Sequence, residues 1–204
     1  MSRSLLSRVR NLATDLVLGV STRSIVETGI DDGKHCSTVD YALIDKVIDS
    51  IRLGASDVVV DVGCGLGRVV CSAARRPVRE VVGIEGDAAI ASRCEENVRR
   101  LTRRGWRRAE KVTIHGKLAD DDALDSVWAS ATAYYLFCPF GEATLLRVAK
   151  KIRRLAERPV RIAYVNPAYE SALREAGFRR TDSWPADPGR HSGLAVAFWE
   201  SPRD

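Results

Sequence analysis

A chain of 204 residues has room for one domain and a short extension, and a hydrophobic share of 45% beside 29% charged residues excludes a disordered chain. The 32 Lys and Arg against 27 Asp and Glu leave a net charge of +5, too mild to mark a dedicated nucleic-acid module, which concentrates its charge in one stripe. Five cysteines (Cys36, Cys64, Cys71, Cys94 and Cys138) form no C-x-x-C pair, so neither a metal site nor a disulfide framework is signalled, and reduced thiols in the cytoplasm are expected.

The N-terminus alternates Arg and Ser with Leu and Val through Asp15, without the continuous apolar core of a signal peptide. Leu5, Leu6, Val9, Leu12, Ala13 and Leu16 suit a surface amphipathic helix, which is expected to pack on its own domain rather than attach to a membrane. No apolar run reaches the ~18 residues of a membrane span. The next helix is expected from about Val39 to Ile51, with Ile44, Val47, Ile48 and Ile51 on one face and Ser37 or Thr38 as its cap. From there β-branched runs alternate with helical patterns. The strands are Asp57–Val62, Glu80–Glu85, Val112–His115, Ala131–Phe137 and Val160–Val165; the helices are Leu66–Arg75, Asp87–Leu101, Glu142–Ala156 and Tyr169–Ala176. Two last strands, Phe178–Ser183 and Leu194–Trp199, have no helix between them and are expected as an antiparallel pair across a long turn, Trp184–Ser192. The pattern predicts an α/β fold: a Rossmann-like, doubly wound, seven-stranded sheet with an antiparallel end, carrying an N-terminal helical extension.

The first core strand runs directly into Asp61-Val62-Gly63-Cys64-Gly65-Leu66-Gly67. In an open parallel sheet ligands bind beyond the carboxyl ends of the strands, and glycines there let the backbone approach them closely. A dinucleotide loop reads G-x-G-x-x-G and seats a pyrophosphate on the following helix. Here the spacing is G-x-G-x-G, and Arg68 stands where the third glycine of that fingerprint would be. A carboxylate at Asp61 disfavours a pyrophosphate and favours the ammonium of an amino-acid-like ligand. Glu85, 24 positions after Asp61 at the end of the second strand, suits a ribose diol.

These residues resemble the class I, seven-strand S-adenosylmethionine-dependent methyltransferases, from about Cys36 to Trp199. The resemblance rests on the loop Asp61–Gly67, on Glu85 with Gly86 after it, and on Leu136-Phe137-Cys138-Pro139-Phe140-Gly141. It implies S-adenosylmethionine as cofactor, with the methionyl part on Asp61, Gly63, Cys64, Gly65 and Gly67, the ribose on Glu85, and the reacting methyl near Cys138, Pro139 and Phe140. Ser37-Thr38 with Tyr41 is similar to the segment that closes over the cofactor in the non-SET histone-lysine methyltransferase branch. Residues 1–52 would then be a helical extension with a cofactor-covering segment, and 53–204 the catalytic domain. Two positions depart from the family pattern. Cys138 stands where amine methyltransferases often carry Asn or Asp. Lys117 stands where an acid often meets the adenine, and a backbone N–H near Leu118 is the substitute contact.

Methyl transfer from a sulfonium is an in-line displacement, so alignment is the protein's main task, and a base is needed only for a protonated nucleophile. The candidates for it are His35, Asp40, Tyr41 and Tyr135. The methyl acceptor is open, whether small molecule, protein or RNA. Arg99, Arg100, Arg103, Arg104, Arg107 and Arg108 around Trp106 could track nucleic acid, although a solvated helix end is the simpler reading. The two rival functions are a non-catalytic binding protein on the same fold and an NAD-dependent oxidoreductase.

Overall fold

The computed structural model describes residues 3–23, 39–187 and 193–202. Helix α1 (Arg3–Leu18) and helix α2 (Tyr41–Ser50) precede an alternating series: β1 (Val58–Val62), α3 (Arg68–Ala73), β2 (Glu80–Glu85), α4 (Ala88–Arg103), β3 (Lys111–Gly116), α5 (Asp125–Ser130), β4 (Ala133–Phe137), α6 (Glu142–Leu155), β5 (Arg161–Val165), α7 (Glu170–Glu175), β6 (Arg179–Trp184) and β7 (Val196–Glu200). The seven strands form one sheet in the order β3-β2-β1-β4-β5-β7-β6. All neighbours are parallel except β7, which runs antiparallel to both β5 and β6. The strand order therefore reverses between β1 and β4, and that crevice is where such sheets take their ligands.

Alternation along each strand divides the core in two. Val59, Val81, Ala133, Tyr135, Ala163 and Phe198 face α2, α3 and α4. Val58, Val60, Val82, Tyr134, Ile162 and Trp199 face α6 and α7. The expected fold class is the observed one. One short helix was not anticipated: α5, with the 3-10 turn Asp122–Leu124 before it. It is no shorter than α3 and α7, but no glycine loop precedes it and no glycine or proline ends it, as Gly67 and Gly177 mark those two. Trp128 nonetheless fills the second core from α5, fully buried and stacked on Tyr134 with ring centroids 5.9 Å apart.

The N-terminal extension departs from expectation more sharply. Helix α1 does pack on the domain, but through its polar face. Asn11, Asp15 and Leu18 are buried, whereas Leu5, Leu6, Val9, Leu12, Leu16 and Val17 are exposed. Apolar periodicity predicts which residues share a face, and normally that face is inward. Here a set of hydrogen bonds overrides it. Ser7 Oγ and Asn11 Nδ2 donate to the two oxygens of Asp40 at 2.6 and 2.5 Å, and the Tyr41 N–H donates to Asn11 Oδ1 at 3.1 Å. Asp40 occupies the N-cap position of α2, in place of the expected Ser37 or Thr38, which lie outside the described residues. Its carboxylate is spent on α1 and makes no cap bond of its own.

Candidate cofactor site

The predicted residues at the ends of β1 to β4 gather at one edge of the sheet, in the spatial order of their strands. Asp61 pairs with Gly83 on one side and with Tyr135 on the other, and Glu85 pairs with Gly116. Beyond β1 the chain turns through Gly63, Gly65 and Gly67 at φ +75°, +52° and +82°, a left-handed series that favours glycine. The Gly63 and Cys64 N–H groups both donate to the Ile84 carbonyl at 2.9 Å, which binds the loop to β2. A Cβ on Gly63 would come within 3.0 Å of Pro139 Cβ, so the glycine loop and the turn after β4 touch.

Gly67 answers to packing. A Cβ there would lie 2.4 Å from Cys94 Sγ, so the start of α3 sits directly on α4. Gly67→Ala should therefore destabilise the fold by about 1–3 kcal/mol, through overpacking and a left-handed alanine, and a urea midpoint shifted down with unchanged slope would show it. The Cys64 side chain also turns inward. Its thiol is buried 3.9 Å from Cys94 Sγ, and that hydrogen bond together with burial pushes its pKa up.

Two carboxylates dominate the electrostatics. Glu85 accepts from the Gly65 N–H at 2.8 Å and from the Asp87 N–H at 3.1 Å, which spans the loop and the start of α4. Each of its oxygens keeps a second lone pair for a ligand hydroxyl. Asp61 is buried, and its Oδ2 has no hydrogen-bond partner. Burial, with the Glu85 charge adding to it, raises the Asp61 carboxyl to about 8. Across the strand pair, Tyr135 carries a second buried, unpartnered oxygen. Its phenol is pushed up by burial and then by the Asp61 charge, so it is protonated at neutral pH and can donate.

Arg68, the one cation of the loop, turns away from the site. Its Nε donates to Thr22 Oγ1 at 2.8 Å and its Nη1 to the Val39 carbonyl at 2.9 Å. Nη2 lies 4.0 Å from Asp15 Oδ2, and the guanidinium covers the Tyr41 ring at 4.9 Å from its centroid. Asp15 also accepts from the Tyr41 phenol at 2.7 Å and from Thr22 Oγ1 at 2.8 Å. Tyr41 thus gives its proton to a hydrogen bond with α1, and burial holds it neutral; it presents no basic oxygen to the site. Asn97 completes the frame, donating to the Leu66 and Ser21 carbonyls at 2.9 and 3.0 Å. Asp15, Thr22 and Asn97 carry no motif, and only the buried polar network reveals them.

A family model described as histone methylation protein DOT1 matches residues 37–138, half of the chain. The chain belongs to the DOT1 family. Curated relatives of this DOT1-family chain include the 23S rRNA (uracil(1939)-C(5))-methyltransferase RlmD of Aeromonas hydrophila, 39% identical over 62 residues, which are 30% of the chain and 14% of the relative. The RlmD of Pectobacterium atrosepticum is 24% identical over 184 residues, 87% of the chain and 37% of the relative. The chain therefore spans little more than a third of the longer match and much less of the shorter. An RNA methyltransferase from Salinibacter ruber, solved in complex with S-adenosyl-L-homocysteine, shares the fold with a TM-score of 0.61 at 20% identity, over 82% of this chain and 95% of that one. The family is described by histone methylation, and the fold is shared with a methyltransferase solved with S-adenosyl-L-homocysteine.

The remaining candidates of this DOT1-family chain lie around that edge. Gly86 is half-buried after β2. Beyond β3, Lys117 is paired with Asp121 at 3.0 Å, which offsets its charge, and Leu118 is 53% exposed, an apolar surface beside the Glu85 strand end. Cys138 is buried and takes φ +42°, followed by half-buried Pro139 and Phe140. The next strand end repeats the pattern: Asn166, exposed after β5, takes φ +51° and precedes Pro167. Left-handed non-glycine residues cost about 1–3 kcal/mol and cluster at functional sites; in the sequence Asn166 gives no signal, because one Asn-Pro pair reads as an ordinary turn. His35, Cys36, Ser37 and Thr38 lie outside the described residues.

Proposed function

We propose that the chain is an S-adenosylmethionine-dependent methyltransferase whose cofactor lies across the carboxyl ends of β1 and β2. The observation that carries this reading is the unpartnered, buried Asp61 oxygen beside Glu85, at a loop whose single arginine points elsewhere. An orphaned buried carboxylate calls for a cationic or donating partner, and an amino-acid ammonium supplies one. A dinucleotide would instead bring a pyrophosphate against two carboxylates, which opposes the NAD-dependent alternative.

In this reading Asp61 holds the ammonium, with the Tyr135 phenol as a neighbouring donor. The second lone pairs of Glu85 take the ribose hydroxyls, and Leu118 offers its apolar surface to the adenine. When bound, the sulfonium supplies an activated methyl. The turn Cys138-Pro139-Phe140 and the exposed amide of Asn166 flank the place where an acceptor would enter. The acceptor class is RNA or protein, the classes named for the relatives and for the family, and the net charge of +5 suits an anionic one. Buried reduced thiols at Cys64, Cys71, Cys94 and Cys138 suit the cytoplasm.

S-adenosylhomocysteine at ~100 times its dissociation constant should stabilise the fold by about 2.7 kcal/mol, raising the melting temperature by roughly 5–11 °C. No shift and no calorimetric binding at millimolar ligand would contradict the proposal, as would tighter binding of NAD. Labelled S-adenosylmethionine incubated with a cell extract, followed by nuclease or protease digestion, would then separate an RNA acceptor from a protein one.

A further inference from the structure

We infer that the outward face of α1 is a docking surface for an anionic lipid bilayer, with the helix lying in the plane of the interface. At 100° per residue, Leu5, Leu6, Val9, Leu12, Ala13, Leu16 and Val17 occupy an arc of about 140°. The opposite arc, Ser7, Asn11, Asp15 and Leu18, packs on the domain. The apolar arc cannot roll inward, because the polar arc is held by Asp40, the Tyr41 N–H, Thr22 and Arg68. Six apolar side chains between 37% and 65% exposed thus lie along a helix roughly 24 Å long. Contiguous exposure of this kind marks an interaction site on a folded protein.

Charge identifies the occupant. Arg8 borders the apolar arc on one side and Arg10 on the other, at about 300° and 140° when Leu5 is at 0°. The only acid of the helix, Asp15, is buried in the network beneath. At the C-terminal end the patch continues onto Trp106, 42% exposed, whose Nε1 donates to the Val17 carbonyl at 3.2 Å. Arg104 donates to the Leu16 carbonyl at 2.8 Å beside it. Among the described residues Arg8, Arg10, Arg104, Arg107 and Arg108 have no carboxylate partner, whereas Glu96 pairs with Arg99, Arg100 and Arg103. Leu and Val between flanking arginines, with a Trp at the edge, is the pattern of a helix buried to its midline among lipid headgroups. A second copy would lay an uncompensated basic face on an equally basic one. RNA would meet the arginines but gain nothing from the leucines.

The test uses the full chain and flotation with vesicles, independently of cofactor binding. Vesicles with about one-third phosphatidylglycerol should carry the protein, and pure phosphatidylcholine should carry at least tenfold less. Brominated lipid should quench part of the tryptophan fluorescence. Val9→Glu and Leu16→Glu, both on the exposed face, should each reduce flotation at least tenfold while leaving the melting temperature within a few degrees of the parent. Absence of flotation with anionic vesicles overturns the inference. So does a concentration-dependent dimer that Val9→Glu converts to monomer without any lipid binding.

Discussion

Arg68→Ala should lower the stability of the chain by about 1–3 kcal/mol, the cost of leaving buried polar groups without their hydrogen-bond donor. Arg68 is 5% exposed, and its guanidinium joins Asp15 of α1, Thr22, the Val39 carbonyl and the Tyr41 ring to the first residue after the glycine loop. Its loss strands Asp15, which is 3% exposed, in a site where only the Tyr41 and Thr22 hydroxyls, the Thr22 N–H and the half-exposed Arg23 remain. For a chain of this size the melting temperature should fall by roughly 2–12 °C. The double variant Arg68→Leu with Asp15→Leu removes both charges, and should recover part of that loss. If Arg68→Ala melts within 2 °C of the parent, the network does not anchor α1. A partial test within the same pair is Arg68→Lys, which keeps the charge but cannot reach Thr22 and Val39 together.

Asp61→Asn should act in opposite directions on stability and on binding. The folded-state carboxyl titrates at about 8, well above its ordinary 3.8. The folded chain therefore holds this proton more tightly than the unfolded chain. Its contribution is full below pH ~4 and is lost as pH rises toward ~8, at no more than ~1.4 kcal/mol per pH unit. Asparagine has no such penalty, so the variant without ligand should melt higher than the parent at pH 8 and nearly equal to it at pH 4.5. The same substitution removes the charge that the ammonium needs, and affinity for S-adenosylhomocysteine should fall by at least tenfold. Equal melting temperatures at pH 8 together with unchanged affinity would remove Asp61 from the site.

The sheet was legible in the sequence because its central strands are apolar runs bounded by glycine, proline or charge, and each long helix repeats every three to four residues. The placement of the loop Asp61–Gly67 and the acid Glu85 at neighbouring strand ends was legible because each directly follows or ends an apolar run. Three things were not. Helix α5 has no glycine or proline to mark its ends, as the equally short α3 and α7 have, although Trp128 makes it part of the core. The orientation of α1 was hidden because Asp40, Tyr41, Thr22 and Arg68, which hold its polar face, are distant in sequence and belong to no pattern. Arg68 itself was visible only as a missing glycine, and its contacts, which tie the extension to the glycine loop, depend on a turn of the side chain that spacing does not encode. Tyr41 illustrates the same limit: a phenol near the pocket in sequence is a hydrogen-bond donor to Asp15 in the fold.

Titration calorimetry of S-adenosylhomocysteine at several pH values reads out whether an ammonium-bearing cofactor binds against Asp61. A carboxyl that titrates near 8 must give up its proton to receive the ammonium. Between pH 6.0 and 7.0 affinity should therefore rise about tenfold, with close to one proton released per ligand bound at pH 6.5. Asp61→Asn should bind more weakly, with neither the rise nor the proton release. Binding by the parent chain that is independent of pH across this range, or no binding at millimolar ligand, would rule out an ammonium held by Asp61.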